Sequence, residues 1–352
     1  MFEYAVTSDR DVVNMVSGSP DWDSPTSLSR GLHNYADEGG SAYPPTTGLT
    51  RLREEIANRR GVNRDQIIVT AGACEANHIL TAYALDAFGS KVAFLDPVYP
   101  YYPGRVDLLG GDPVTIPAGA TGEIEPRAIR SPLDEEIGAI LLNTPNNPTG
   151  AVYDHSTLEE IIHAAEEQGA LVICDEAYDH LDLSGTFTSS LAIDSPHRAM
   201  VGSFSKTLAA TGYRVGYLIA QPDIVDDVKQ YKTLTSIATS RPAQAAVHHA
   251  LEEVSPEYFQ AVRERLLDRR EIFCNALSKM GAEHIVPDGG FYVLAKIPEY
   301  SGSINDAKRL IDERGVAAMP GEAFGDTISE WLRFTLVTDR VEEAANRLDP
   351  GR

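Results

Sequence analysis

The sequence predicts a three-layer α/β/α protein built on a mostly parallel, seven-stranded sheet, with a smaller α+β part attached. Short apolar runs alternate with helix-like segments through the middle of the chain, and most of the runs end on glycine, proline or aspartate. After about residue 245 the alternation gives way to one long helical stretch and a few strand-like runs. Strand alternating with helix marks a parallel sheet covered on both faces, because each crossover must carry the chain back over the sheet.

Seven runs read as buried strands: "QIIVTAG", "KVAFLD", "DPVTIPA", "AILLNTP", "LVICDEA", "AMVGSFS" and "GYLIAQP". Between two of them, "STLEEIIHAAEEQG" reads as a helix, with Ser156 and Glu159 as a capping box and Gly169 as its stop. Farther on, a helix from Pro256 to Met280 places Phe259, Val262, Leu266, Phe273 and Leu277 on one stripe. "GGFYVLAKI" and "WLRFTLV" then read as strands, with "NDAKRLIDERG" as a helix between them. The expected division is a large part over residues 30–245 and a small part over 246–352, completed by residues 1–29. Ligands of such sheets bind beyond the carboxyl ends of the strands, so the function is expected between the two parts.

Composition removes several function classes. With 30 basic and 52 acidic residues the net charge is −22, a surface that repels nucleic acid and anionic lipid. Every apolar stretch is strand-sized and too short to span a bilayer, and the N-terminus lacks a basic region followed by an apolar core. Cys74, Cys174 and Cys274 form no paired spacing, which argues against disulfides or a zinc ribbon and for a reducing cytoplasm. No metal site is expected: His248 and His249 are adjacent, about 100° apart on a helix, and His155, His163 and His180 lack ligand spacing.

The chemistry gathers at three strand ends. "LLNTPNNPTG" supplies Asn143, Asn146 and Asn147; "LVICDEAY" ends on Asp175, a carboxylate that needs a partner if buried; "SFSKTLAATGYRVGY" supplies Ser203, Ser205, Lys206 and Arg214. Lys206 is not a phosphate-loop lysine, because the two glycines that motif needs are here Ser205 and Met200. Adjacent strands of a parallel sheet bring such ends to one edge, so a single polar pocket is expected.

In order along the chain, "SAYPPTTGLTRLR", "TAGACEA", "DPVYPYY", "NTPNNPTG", "DEAY", "SFSKTLAATGYRVGY", "GGFYVL" and "WLRF" resemble the fold-type I, pyridoxal-phosphate-dependent aminotransferases of class I/II. The resemblance implies that Lys206 holds pyridoxal 5′-phosphate as a Schiff base and then moves the substrate proton. It implies that Asp175 pairs with the ring nitrogen, that Tyr178 and Asn147 bind the ring oxygen, and that Tyr99 stacks on the ring. Arg214, Ser203 and the amides of Ala73 and Cys74 are implied as phosphate ligands, the amides at a helix start where free N–H groups suit an anion. Arg333 matches the reader of the substrate carboxylate, and Gly18 a glycine lining the substrate side. Tyr43 matches a tyrosine that reaches the phosphate from a neighbouring subunit, implying a homodimer with shared sites. The implied reaction is ping-pong transfer of an amino group from an L-amino acid to a 2-oxo acid through pyridoxamine phosphate.

Other outcomes share these residues. A lyase, a decarboxylase resembling the threonine-phosphate enzyme, or a histidinol-phosphate aminotransferase would use the same lysine and acid. A cofactor-sensing regulator would need a basic DNA-binding region, which an acidic chain of 352 residues has no room for. Arg241 is a further candidate for a distal substrate carboxylate, against a structural or phosphate-side role. Only seventeen residues precede Gly18, so little of the N-terminal arm of many relatives is expected.

The acidic balance, with seven lysines against twenty-three arginines, fits either adaptation to high salt or an ordinary acidic enzyme. A melting series in rising salt separates the two. A Tm that climbs with salt supports adaptation, and no gain excludes it.

Overall fold

All seven apolar runs enter one sheet: β1 (Ile67–Thr70), β2 (Lys91–Asp96), β3 (Asp112–Pro117), β4 (Ile137–Asn143), β5 (Leu171–Asp175), β6 (Arg198–Ser203) and β7 (Gly216–Ala220). The computed structural model describes residues 1–124, 126–131 and 133–349. Residues 125 and 132 of the expected large part and 350–352 of the small part lie outside the described residues. The spatial order is β1-β7-β6-β5-β4-β2-β3. Strands β2 to β6 run parallel, and only β7 is antiparallel to its neighbours β6 and β1.

Side chains alternate between the two faces, and both faces are covered. Ile68, Phe94, Leu141, Ile173 and Val201 meet Ile79, Leu80 and Tyr83 of the helix Ala73–Ala87 on one side. On the other, Ile140, Leu142 and Val172 meet Leu158, Ile161 and Ile162 of the helix His155–Glu167. Ile67, Val69 and Ile219 meet Leu52 and Ile56 of the helix Thr50–Arg60 and Val247 and Leu251 of the helix Arg241–Glu253. Burial on both faces is why these strands read as unbroken apolar runs.

The exception is β3. It was expected to be buried, yet only Ile116 is, because the strand lies at the sheet's edge with β2 as its single neighbour. Two further expectations need correcting. The His155–Glu167 helix is capped by Asp154, whose carboxylate accepts the Thr157 N–H at 2.8 Å, and not by Ser156, whose hydroxyl donates to that same carboxylate. The boundary drawn at residue 245 falls inside the helix Arg241–Glu253, whose Ala246, Val247 and Ala250 pack with the sheet. Gly169 does follow the helix end at φ +71°, a left-handed conformation that favours glycine.

Beyond that helix, β8 (Glu283–Ile285), β9 (Tyr292–Lys296) and β10 (Leu332–Thr335) form an antiparallel sheet, with Met319–Pro320 outside β10. The helix Pro256–Lys279 covers it through Val262, Leu266, Phe273 and Leu277. Ala177 and Tyr178, just past β5, share this core with Phe291 and Phe334, so the two sheets are packed together. Val13–Asn14 pairs in parallel with Val316–Ala317, and the Thr335 N–H donates to Met15 O at 2.8 Å. That pairing delivers residues 16–19 to the region where the two sheets meet.

A close approach of backbones controls the start of the Ala73 helix. A Cβ on Gly216 would lie 2.7 Å from Gly72 C and 2.8 Å from Ala73 N, both main-chain atoms that cannot swing aside. Gly216→Ala should therefore cost about 1–3 kcal/mol, checked by denaturant unfolding.

Candidate active site

Between the two sheets, beyond the carboxyl ends of β4, β5 and β6, lies a cleft of about 820 Å³. Eleven of the twelve residues to which the resemblance assigns a role line it: Gly18, Ala73, Cys74, Tyr99, Asn147, Asp175, Tyr178, Ser203, Lys206, Arg214 and Arg333. Tyr43 does not. It is 79% exposed, beside a separate hollow that it shares with Arg241. Arg241 donates to Ala42 O at 3.2 Å and is not among the residues lining the cleft.

Asp175 closes the floor. It is the last residue of β5, paired in register with Asn143 on β4 and Val201 on β6. Its Oδ2 accepts from the Tyr102 hydroxyl at 2.7 Å and from Asn77 Nδ2 at 2.6 Å, while Oδ1 accepts the Ala177 N–H at 3.0 Å. Burial pushes its pKa up, and these hydrogen bonds pull against that. Neither Tyr102 nor Asn77 was singled out. "YPYY" contains three tyrosines, and the helix starting at Tyr101 separates them: Tyr102 turns onto Asp175, Tyr99 lines the cleft with its ring edge-on to that of Tyr102, and Tyr101 is exposed. Asn77 is one turn inside the Ala73 helix, where nothing local marks an inward-facing amide.

Lys206 stands opposite, on a single turn, Phe204–Thr207, capped by Ser203 Oγ, which accepts the Ser205 N–H at 3.2 Å. Its amine donates to Gly18 O. A Cβ at position 18 would lie 2.3 Å from the Tyr292 hydroxyl, so any larger residue there must displace that buried ring. The Lys206 pKa is lowered to about 8, by burial first and then by the charges of Arg214 and Arg333. An amine so placed is a competent nucleophile and proton carrier near neutral pH.

One end of the cleft is built for an anion. The fifteen-residue helix Ala73–Ala87 opens there on Ala73 and Cys74, and its first N–H groups have no intrahelical partner. Arg214 donates to Ala71 O at 3.3 Å, to Thr211 O at 2.9 Å and to Ser205 Oγ at 3.4 Å. Its serine contact is thus with Ser205 and not with Ser203, the serine implied as a phosphate ligand; both serines line the cleft. Arg105, not singled out, touches Cys74 Sγ at 3.1 Å and keeps a buried Nη1 without a partner. The Cys74 thiol is exposed and touches this guanidinium.

At the other end, Arg333 on β10 donates to Asn147 Oδ1 at 2.9 Å and Val16 O at 3.0 Å. It lies over the rings of Tyr292 and Phe324, at 4.0 and 4.8 Å from their centres. Its Nε is buried without a partner, and among the described residues no carboxylate pairs with it. A buried guanidinium without a paired carboxylate has donors to offer one. Met1 and Phe2 also line the cleft, so the short N-terminal segment reaches the site.

A family model described as "Aminotransferase class I and II" matches residues 10–348. The chain belongs to this family. It is an aminotransferase, a transferase of nitrogenous groups. It is 31% identical to an aspartate aminotransferase of Thermotoga maritima, over 96% of this chain and 91% of that protein. It is also 31% identical to an aspartate/prephenate aminotransferase of Thermus thermophilus, over 96% and 90%. Among solved structures it is similar to the aspartate aminotransferase of T. thermophilus with maleate, at 28% identity and a TM-score of 0.89, over 96% and 91% of the two chains. The aromatic aminotransferase of Pyrococcus horikoshii matches at 28% identity and a TM-score of 0.90, over 99% and 98%. The resemblance stated from the motifs and the fold class both stand.

The lowered pKa of Lys206 has a measurable sign. In this aminotransferase without ligand, acylation at Lys206 should reach half its maximal rate near pH 8. Arg214→Gln should move that midpoint upward, because a neighbouring cation no longer opposes protonation. The folded chain sheds this proton before the unfolded one, so the group adds stability as pH rises from about 8 to the ordinary value of 10.5. Peptide mapping after timed acylation across pH checks both midpoints.

Proposed function

We propose that this aminotransferase uses pyridoxal 5′-phosphate and moves an amino group from an apolar L-amino acid to a 2-oxo acid. The observation that carries the reading is one cleft holding a lysine amine lowered to about 8, a buried carboxylate opposite it, and an anion-accepting end. The donors fit the group. The amides of Ala73 and Cys74 with Ser203 and Arg214 would take the phosphate, and the unpartnered Nη1 of Arg105 suits the same charge. Asp175 would pair with a protonated ring nitrogen, Tyr178 and Asn147 would donate to the ring oxygen, and Tyr99 would cover a ring face.

When bound, the cofactor supplies an electron sink for the bond broken at the substrate Cα. Asp175 keeps that sink effective by holding a proton on the ring nitrogen. Arg333 binds the substrate carboxylate bidentately and so aims the Cα–H bond at Lys206 Nζ. Lys206 would then take the Cα proton and deliver it to the cofactor's aldehyde carbon rather than back to Cα, which suits an amine that titrates near neutrality. A single carboxylate receptor serves both substrates, so one oxo acid must leave before the next enters, giving ping-pong order.

Substrate choice follows from what surrounds Arg333. Val16, Met319 and Phe324 stand beside Arg333, and Met1 packs with Val16 and Met319. Among the described residues the other cationic side chains lining the cleft are Lys206, Arg214 and Arg105, and the two arginines stand at the helix start. A substrate side chain beyond Cβ would meet apolar side chains rather than a second cationic side chain, which favours aromatic and aliphatic substrates over acidic ones.

Two finer points belong to the same reading. A homodimer with Tyr43 reaching the neighbouring site is supported by exposed Tyr43, Tyr101, Leu108 and Leu234, large apolar groups that water covers poorly. A cytoplasmic location is supported by three free thiols.

Phenylalanine, leucine and aspartate, each with pyruvate as acceptor, form the deciding panel, scored for both products. Phenylalanine and leucine should exceed aspartate by at least about tenfold in kcat/KM. Lys206→Ala should lower transfer by about 10²–10⁴-fold or more. Release of ammonia or carbon dioxide without stoichiometric transfer would overturn the reaction, and preference for aspartate would overturn the substrate class.

A further inference from the structure

A buried ion pair lies directly behind the turn that opens the Ala73 helix. Glu75, third residue of that helix, meets Lys232 of the helix Pro222–Ser236, whose side chain is fully buried. Lys232 Nζ donates to Glu75 Oε2 at 2.6 Å, to Ser236 Oγ at 2.8 Å and to Thr239 Oγ1 at 3.0 Å, which uses all three of its protons. Thr239 in turn donates to Val69 O on β1 at 3.0 Å. Glu75 Oε2 also accepts the Ala71 N–H at 2.5 Å. Lysine, strand end and turn are thereby linked in one chain of contacts.

Stability alone is a weak reason for such a pair, since apolar residues of similar volume often replace a buried ion pair at little cost. Its location supplies a better one. Ala71 and Glu75 bracket the Ala73 and Cys74 amides, and Ala71 O receives Arg214. Glu75 fixes the turn through the Ala71 amide, yet its carboxylate sits within one helical turn of an anion site, with Oε1 buried and unpartnered. Unneutralised, that charge would repel a phosphate dianion in a low-dielectric surrounding. Lys232 is the one cation paired with Glu75 among the described residues.

We propose that Lys232 is a positioning residue for the phosphate cradle: it cancels the charge of Glu75, so the carboxylate can hold the turn without opposing the phosphate. This rests on the pyridoxal-phosphate reading above.

The test compares a ligand that has the phosphate with one that lacks it. The full chain, freed of cofactor, is titrated by absorbance with pyridoxal 5′-phosphate and with pyridoxal. Lys232→Met should weaken the phosphate ligand about tenfold while pyridoxal changes by less than about twofold. Glu75→Gln, which leaves the lysine's charge unopposed, should leave the phosphate ligand bound as tightly or more tightly. Joining the two substitutions should restore most of the affinity lost in Lys232→Met. Equal weakening of both ligands by Lys232→Met, or no recovery in the double variant, would mean a purely structural pair and overturn the proposal. Where Lys232→Met does not fold, Glu75→Gln decides alone: weaker phosphate binding overturns the proposal, and retained binding supports it. Binding of neither ligand by the unaltered chain would instead sink the cofactor reading.

Discussion

The site depends on keeping one carboxylate out of water. Asp175 ends β5 inside the protein, where an isolated charge would be costly, and three donors from three directions make it tolerable. Each donor fixes the element it comes from. Tyr102 sets how the Tyr101–Leu108 helix leaves β2, Asn77 sets the rotation of the Ala73 helix, and the Ala177 N–H sets the turn after β5. Asn143 adds a fourth tie, donating to Asp175 O at 2.8 Å and accepting the Asn147 N–H at 2.8 Å. Through Asn147 the same network reaches Arg333 on the other sheet.

Charge inside the cleft is opposite in sign to charge on the whole chain. The chain carries −22, whereas the cleft is lined by Lys206, Arg105, Arg214 and Arg333 against the single carboxylate of Asp175. A positive pocket with low-dielectric walls draws anionic molecules against the repulsion of the acidic exterior. Its cations are also separated in task. Arg214 and Arg105 stand at the helix start, Arg333 stands alone among aromatic rings, and Lys206 lies between, lowered by two of them. Arrangement, more than number, gives one pocket two separate cationic ends and a reactive amine.

Strand positions, the long helix and most site residues were legible in the chain because each leaves a local trace. Strands covered on both faces are unbroken apolar runs. The Lys206, Asp175 and Asn147 segments are short motifs in which neighbouring residues constrain one another. What failed locally failed for stated reasons. β3 has an apolar composition, but its edge place comes from strand order. Ser156 looked like a cap because the competing Asp154 lay just before the segment read as a helix. The boundary at residue 245 followed composition, while the packing of Val247 and Leu251 follows shape.

By itself the sequence determined which residue types occur, in what order, and at which ends of which strands. That sufficed for the fold class and for a lysine, an acid and an arginine expected in one place. Only the tertiary structure decided which of three tyrosines meets Asp175, that Asn77 and Arg105 face the site, and that Lys232 lies behind Glu75. Those pairings join residues from 31 to 157 positions apart, as Arg105 to Cys74 and Glu75 to Lys232 show, and nothing nearby in the chain marks them. The physical reason is that burial and hydrogen bonding act through space, whereas a sequence records only neighbours along the backbone.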